Sequence, residues 1–103
     1  MYIVVLVTAP NNLQAKKITN LLLKKKLVAC VNIVPKVDSF FWWKGKIDKA
    51  KEALLVIKSK KKLLSKLIKA VKSIHPYSVP EIIALPIASG NKDYLNWIDE
   101  SCR

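Results

Sequence analysis

The chain has 103 residues, a mass of 11.6 kDa and a formal net charge of +12. That length suits one compact domain and is too short for two. A hydrophobic fraction of 51% and a mean hydropathy of +0.18 argue against disorder. No apolar run approaches the roughly 20 residues that cross a bilayer, so no membrane partner is expected. The start of the chain does not read as a secretory leader. Every cation except Arg103 is lysine. Arginine supplies the fork that reads phosphate and guanine. Dispersed lysines on helix faces therefore read as solvated surface, and nucleic acid is disfavoured as a partner. Cys30 and Cys102 could form one disulfide at most. Cys30 lies in an apolar run, and a reduced, cytoplasmic setting is the simpler expectation.

Taken in order, Tyr2 to Ala9 is apolar on both faces and reads as a central strand. Pro10-Asn11-Asn12 breaks it, and either asparagine can cap an amphipathic helix over residues 12–25. Val28 to Val34 reads as a second strand, with Pro35 at an edge or bulge. The chain resumes at Val37 and runs into Phe40-Phe41-Trp42-Trp43. A hairpin turn fits at Lys44-Gly45-Lys46 or at Asp48 to Lys51. Placing Phe41, Trp43, Gly45 and Ile47 on one face favours the second. Glu52 to Lys58 is the return strand. Ser59 is a candidate cap for a helix whose stripe is Leu63, Leu64, Leu67, Ile68, Val71 and Ile74. Pro76 ends that helix after His75. A fourth strand is expected over Pro80 to Ala88, with Pro86 pointing to an edge. Asn91 can cap a short final helix through Tyr94, Leu95, Trp97 and Ile98.

The fold class is therefore α+β. The order is that of a ferredoxin-like βαββαβ sandwich with an extended hairpin between its second and third strands and a short C-terminal helix. The strand order of that fold, 4-1-3-2, puts the apolar first strand inside and the proline-bearing strands at the edges. The Phe40 to Trp43 run then places aromatics on both faces of an edge strand, and helices cover one face of a four-stranded sheet. A patch of that size predicts an oligomer built through the hairpin.

Chemistry is sparse. One histidine and two cysteines, without CxxC or HExxH spacing, cannot close a structural zinc site in one chain. A site shared between subunits could combine the Cys30 thiol, the His75 imidazole and a carboxylate such as Glu52 or Glu81. Otherwise His75 is expected to meet the last carbonyls of its helix, and Cys30 to fill core. No nucleophile elbow or phosphate-cradling glycine loop is present, and no enzyme is expected.

Several segments carry a resemblance. Val28-Ala29-Cys30-Val31-Asn32, Phe41-Trp42-Trp43-Lys44-Gly45-Lys46-Ile47, Glu52 with Ile57-Lys58-Ser59, His75-Pro76-Tyr77 with Pro80-Glu81-Ile82, and Tyr94-Leu95 with Trp97 resemble, in order, motifs of the CutA divalent-cation-tolerance proteins. The resemblance implies a ferredoxin-like homotrimer similar to PII signalling proteins, with hairpins that pair between subunits. It implies tolerance of divalent metals, copper binding and no catalysis. Carried over by position, Cys30 and His75 are the metal-ligand candidates. Trp43, Glu52, Lys58, Tyr77, Glu81, Tyr94 and Trp97 would line or brace an intersubunit cleft. Phe41 removes a hydroxyl where tyrosine is usual. A second reading gives that cleft to a small anion held by Lys46 and Lys58, as in a sensing module.

Overall fold

Alternating valine, leucine and isoleucine make Tyr2–Ala9 the strand β1 in the computed structural model, which describes residues 1–103. Asn11 then caps the helix α1 (Asn12–Lys24), its side-chain oxygen accepting the Gln14 N–H at 2.9 Å. The strand β2 (Cys30–Trp43) turns directly into β3 (Lys46–Lys60). One 3₁₀ turn (Lys61–Leu63) leads into α2 (Leu64–Ile74). The short strand β4 (Ile82–Pro86) and the helix α3 (Lys92–Ser101) complete the chain. Asn91 caps α3 by accepting the Asp93 N–H at 2.9 Å. The sheet order is β2-β3-β1-β4, every pairing antiparallel. This is the expected ferredoxin-like order, with β1 and β3 inside and both prolines on edge strands.

The two faces of the sheet differ. Ile3, Val5, Val7 and Ala9 of β1 and Ala53, Leu55 and Ile57 of β3 share the face under α1 and α2, and all are buried. Ala15, Ile18, Leu22, Leu67 and Val71 close that core from the helices. On the opposite face lie Val4, Leu6, Leu54 and Val56, flanked by Val34, Ile83 and Leu85. Ile83 is 51% exposed, Leu85 47% and Val34 40%. Only the end of this face nearest Lys60 is crossed by α3, whose Asp99 meets the Lys60 ammonium.

Four expectations change. The hairpin turn is at Lys44-Gly45, since Trp43 pairs with Lys46 and Trp42 with Ile47. Both central residues have positive φ, +51° and +76°. Two consecutive left-handed residues make the turn that matches strand twist. Ile47 therefore joins the face of Phe40 and Trp42, opposite Phe41 and Trp43. Second, β2 is continuous through Pro35. A register shift between Val34 and Val37 absorbs the proline and switches the alternation, so Val34 and Val37 share a face. Third, Ser59 caps no helix. It lies in β3 opposite Ile3, and its buried hydroxyl donates to the Leu27 carbonyl at 2.6 Å. No side chain caps α2. Fourth, β4 is shorter than Pro80 to Ala88.

β1 stops pairing at Ala9, opposite Ala53. Beyond it, residues 37–43 and 46–52 form a two-stranded ribbon about 23 Å long. This arm accounts for the 44 × 26 × 23 Å shape.

Candidate functional site

Pro76 forces His75 out of the helical region, to φ −71° and ψ 134°. That turn carries the imidazole to the end of β1. The ring Nε2–H donates to the Thr8 carbonyl at 2.7 Å, and Nδ1 accepts the Tyr77 N–H at 3.1 Å. A carbonyl can only accept and an amide N–H can only donate, so these partners assign the neutral Nε2–H tautomer. His75 thus joins the last turn of α2 to β1, whereas its expected partners were the final carbonyls of its own helix. Tyr77 lies tilted against the ring, centroids 4.9 Å apart, and its hydroxyl donates to Glu52 Oε2 at 2.8 Å. Glu52, His75 and Thr8 are buried. Partial burial, and then the adjacent Glu52 carboxylate, push the Tyr77 hydroxyl up to about 12. It therefore remains a donor at neutral pH.

A second cluster occupies the other end of the sheet. Cys30 pairs with Lys58, and the Lys58 ammonium donates to Asn32 Oδ1. The half-buried Cys30 thiol approaches the same oxygen at 3.9 Å. Tyr94 lies beside Cys30, and burial followed by that thiol raises its hydroxyl above the ordinary tyrosine value. Its ring tilts against Trp97, centroids 5.4 Å apart. The Lys60 ammonium, on a buried side chain, reaches the Asp99 carbonyl at 3.1 Å and its carboxylate at 3.2 Å. Cys102 is fully buried, donates to the Ile98 carbonyl at 3.3 Å and is held protonated by burial. Cys30 is the thiol that solvent can reach.

The clusters are separate. Cys30 pairs with Lys58 and Thr8 with Leu54, so the thiol and the anchor of His75 are four residues apart along β3, about 13 Å. Glu81 is exposed just ahead of β4. No three His, Cys, Asp or Glu side chains of one chain converge as a metal-binding group. Lys46 at the ribbon tip and Lys58 in the main sheet are about 40 Å apart along β3, so one chain cannot bring both to one small anion. Trp42 and Phe40 are exposed on one face of the ribbon and Phe41 and Trp43 on the other. Sequence reasoning missed Asn32, although it stands two residues from Cys30 on the same strand face. It also missed the Thr8 carbonyl, a backbone acceptor that no residue type marks.

The family model described as CutA1 divalent ion tolerance protein matches residues 3–101. The divalent-cation tolerance protein CutA of Thermus thermophilus is 46% identical over 98 residues, covering 95% of each chain. A chloroplastic CutA 1 of rice is 48% identical over 98% of this chain, which spans 57% of the rice protein. The chain covers little more than half of the first curated relatives it matches. Among solved structures, the Thermus thermophilus protein superposes with a TM-score of 0.98 at 45% identity over the whole of both chains. One described as the periplasmic divalent cation tolerance protein CutA from Archaeoglobus fulgidus gives 0.95 at 42% identity, covering 98% of each.

Proposed function

The chain belongs to the CutA1 divalent ion tolerance family, and from that premise we propose that it acts as a homotrimer holding divalent cations, copper foremost, at sites shared between subunits. The observation carrying this reading is the separation of the donors. Cys30 offers a soft sulfur on an edge strand, the Glu52 carboxylate is buried under Tyr77 toward the other end of the sheet, and Glu81 is exposed ahead of β4. Within one chain these residues do not fit a closed site, so a closed site would need ligands from a neighbouring subunit. His75 is the weakest of the candidates, because both of its ring nitrogens are engaged by backbone groups. It would have to release the Thr8 carbonyl or the Tyr77 amide to bind a metal.

The test combines light scattering with calorimetric copper titration. The trimer should bind copper, Cys30→Ala should abolish the binding, and His75→Ala should not. Retained binding in Cys30→Ala removes the thiol as a ligand. The role is binding rather than catalysis. The two free thiols favour a cytoplasmic setting, which cell fractionation tests.

A second reading makes the intersubunit cleft a PII-like sensor of small molecules. The Tyr94–Trp97 pair beside Lys58 favours it, as a stacking surface next to a cation. A thermal-shift screen of nucleotides and carboxylates without metal separates the two readings.

A further inference from the structure

Residues 11–29 and 61–75, which contain α1 and α2, hold ten lysines and no carboxylate. None of the ten is ion-paired. The ion pairs of the chain are Lys51–Asp38 and Lys60–Asp99, both away from this face. The acidic residues lie on the ribbon, on β3 and in the last quarter of the chain. A cleft of about 560 Å³ opens between the end of α1 and the body of α2. Leu27 and Ala70 form its apolar floor, and Lys25, Lys66, Lys69 and Arg103 stand around it. It is open to solvent and lined mostly by polar residues, a concavity suited to a charged ligand rather than an apolar one.

Three observations point to a ligand of high negative charge density. Lys66 and Lys69 are three residues apart on one helix, where like charges repel. No acceptor in the protein engages the side chains of Lys25, Lys66, Lys69 or Arg103. The end of α1 does not neutralise the lysines either, since the backbone N–H groups of Lys25, Lys26 and Leu27 already occupy the carbonyls of Leu21, Leu23 and Leu22. Four cations around one concavity focus a positive field. A single carboxylate satisfies one of them. A chain of phosphates spaces several charges over the same short distance and accepts from lysine and arginine alike.

We propose that this cleft binds the phosphate chain of a small oligophosphate, free or as the triphosphate arm of a nucleotide. The site is on the helical side of the molecule, away from Cys30 and the ribbon. Its outcome is therefore independent of the metal reading. The experiment titrates tripolyphosphate, adenosine triphosphate and a charge-matched single-stranded oligonucleotide into the protein at low ionic strength, without metal. Three proteins are compared: the unmodified chain, Lys66→Glu/Lys69→Glu, and Lys36→Glu/Lys92→Glu, which changes net charge equally but elsewhere. Lys66→Gln/Lys69→Gln, with Lys36→Gln/Lys92→Gln as its control of equal charge, replaces the first pair if circular dichroism shows that the α2 variant is unfolded. The expected result is similar binding of tripolyphosphate and adenosine triphosphate, weakened at least about tenfold by the α2 variant and little by the control. Equal losses in both variants would show a diffuse field and overturn the proposal. So would the absence of tripolyphosphate binding, or an oligonucleotide bound far more tightly than either phosphate ligand.

Discussion

Lys26 has φ +57°, a left-handed conformation that costs a residue with a Cβ roughly 1–2 kcal/mol. It closes α1 in the position usually held by glycine, with the Lys26 N–H on the Leu23 carbonyl and the Leu27 N–H on that of Leu22. Lys26→Gly should therefore raise stability by about 1 kcal/mol, read as a higher melting temperature, after the greater freedom of glycine in the unfolded chain is subtracted. Tyr77 offers a second test. Tyr77→Phe leaves the buried Glu52 carboxylate without its hydroxyl donor and should cost about 1–2 kcal/mol, the low end for a bond to a charged group because Tyr77 is 36% exposed. The pH dependence has a definite sign. Folding raises this hydroxyl from 10.0 to about 12, so the neutral form is favoured in the native state. Its contribution is complete below pH 10 and is lost as pH rises from 10 to about 12. Denaturation series across that window should fall more steeply for the unmodified protein than for Tyr77→Phe. Parallel slopes would show that the hydroxyl is not linked to folding.

At the scale of elements, order and type were legible because hydrophobic period and asparagine caps agree over long stretches. Boundaries were not legible where backbone geometry overrode side-chain pattern. The hairpin shows why. Alternation favoured a turn at Asp48 to Lys51, because a lysine at the first turn position hides the left-handed signal that Asn-Gly would have announced. Ser59 misled for a related reason. Its hydroxyl is spent on the Leu27 carbonyl inside the core, while α2 begins with no cap. The clusters were half legible: the residue types were present, but that Cys30 and His75 stand at opposite ends of the sheet follows from strand register. The turn itself is testable. A Cβ at Gly45 meets nothing within 4 Å, yet φ is +76°. Gly45→Ala should thus cost about 1 kcal/mol through backbone strain alone. Lys44→Asn should be stabilising, since asparagine tolerates the left-handed region. Thermal melts of the two variants shifting in the same direction would contradict this assignment of the turn.

The whole molecule exposes more surface than its mass warrants. Its accessible area is 6879 Å², whereas a monomer of 11.6 kDa typically shows about 5,800 Å². The excess comes from the ribbon and the open sheet face, and a ribbon of two strands is at best marginally stable alone in water. Self-association would remove both exposures, with Val4, Leu6, Val56, Ile83 and Leu85 packed against neighbouring chains. Opposing it is the charge of +12 carried by each chain. These forces respond differently to salt. Repulsion between chains reaches about 30 Å at 0.01 M salt and about 8 Å at 0.15 M, while burial of apolar surface is not screened. Sedimentation should therefore show assembly tightening as salt rises, to three times the 11.6 kDa of one chain. Ile83→Asp should abolish that assembly with little cost to the fold, because Ile83 is 51% exposed in the single chain. If the variant still assembles to the same mass as the unmodified protein, the open face is not the interface, and an unmodified protein that stays at 11.6 kDa at every salt concentration would overturn the assembly itself.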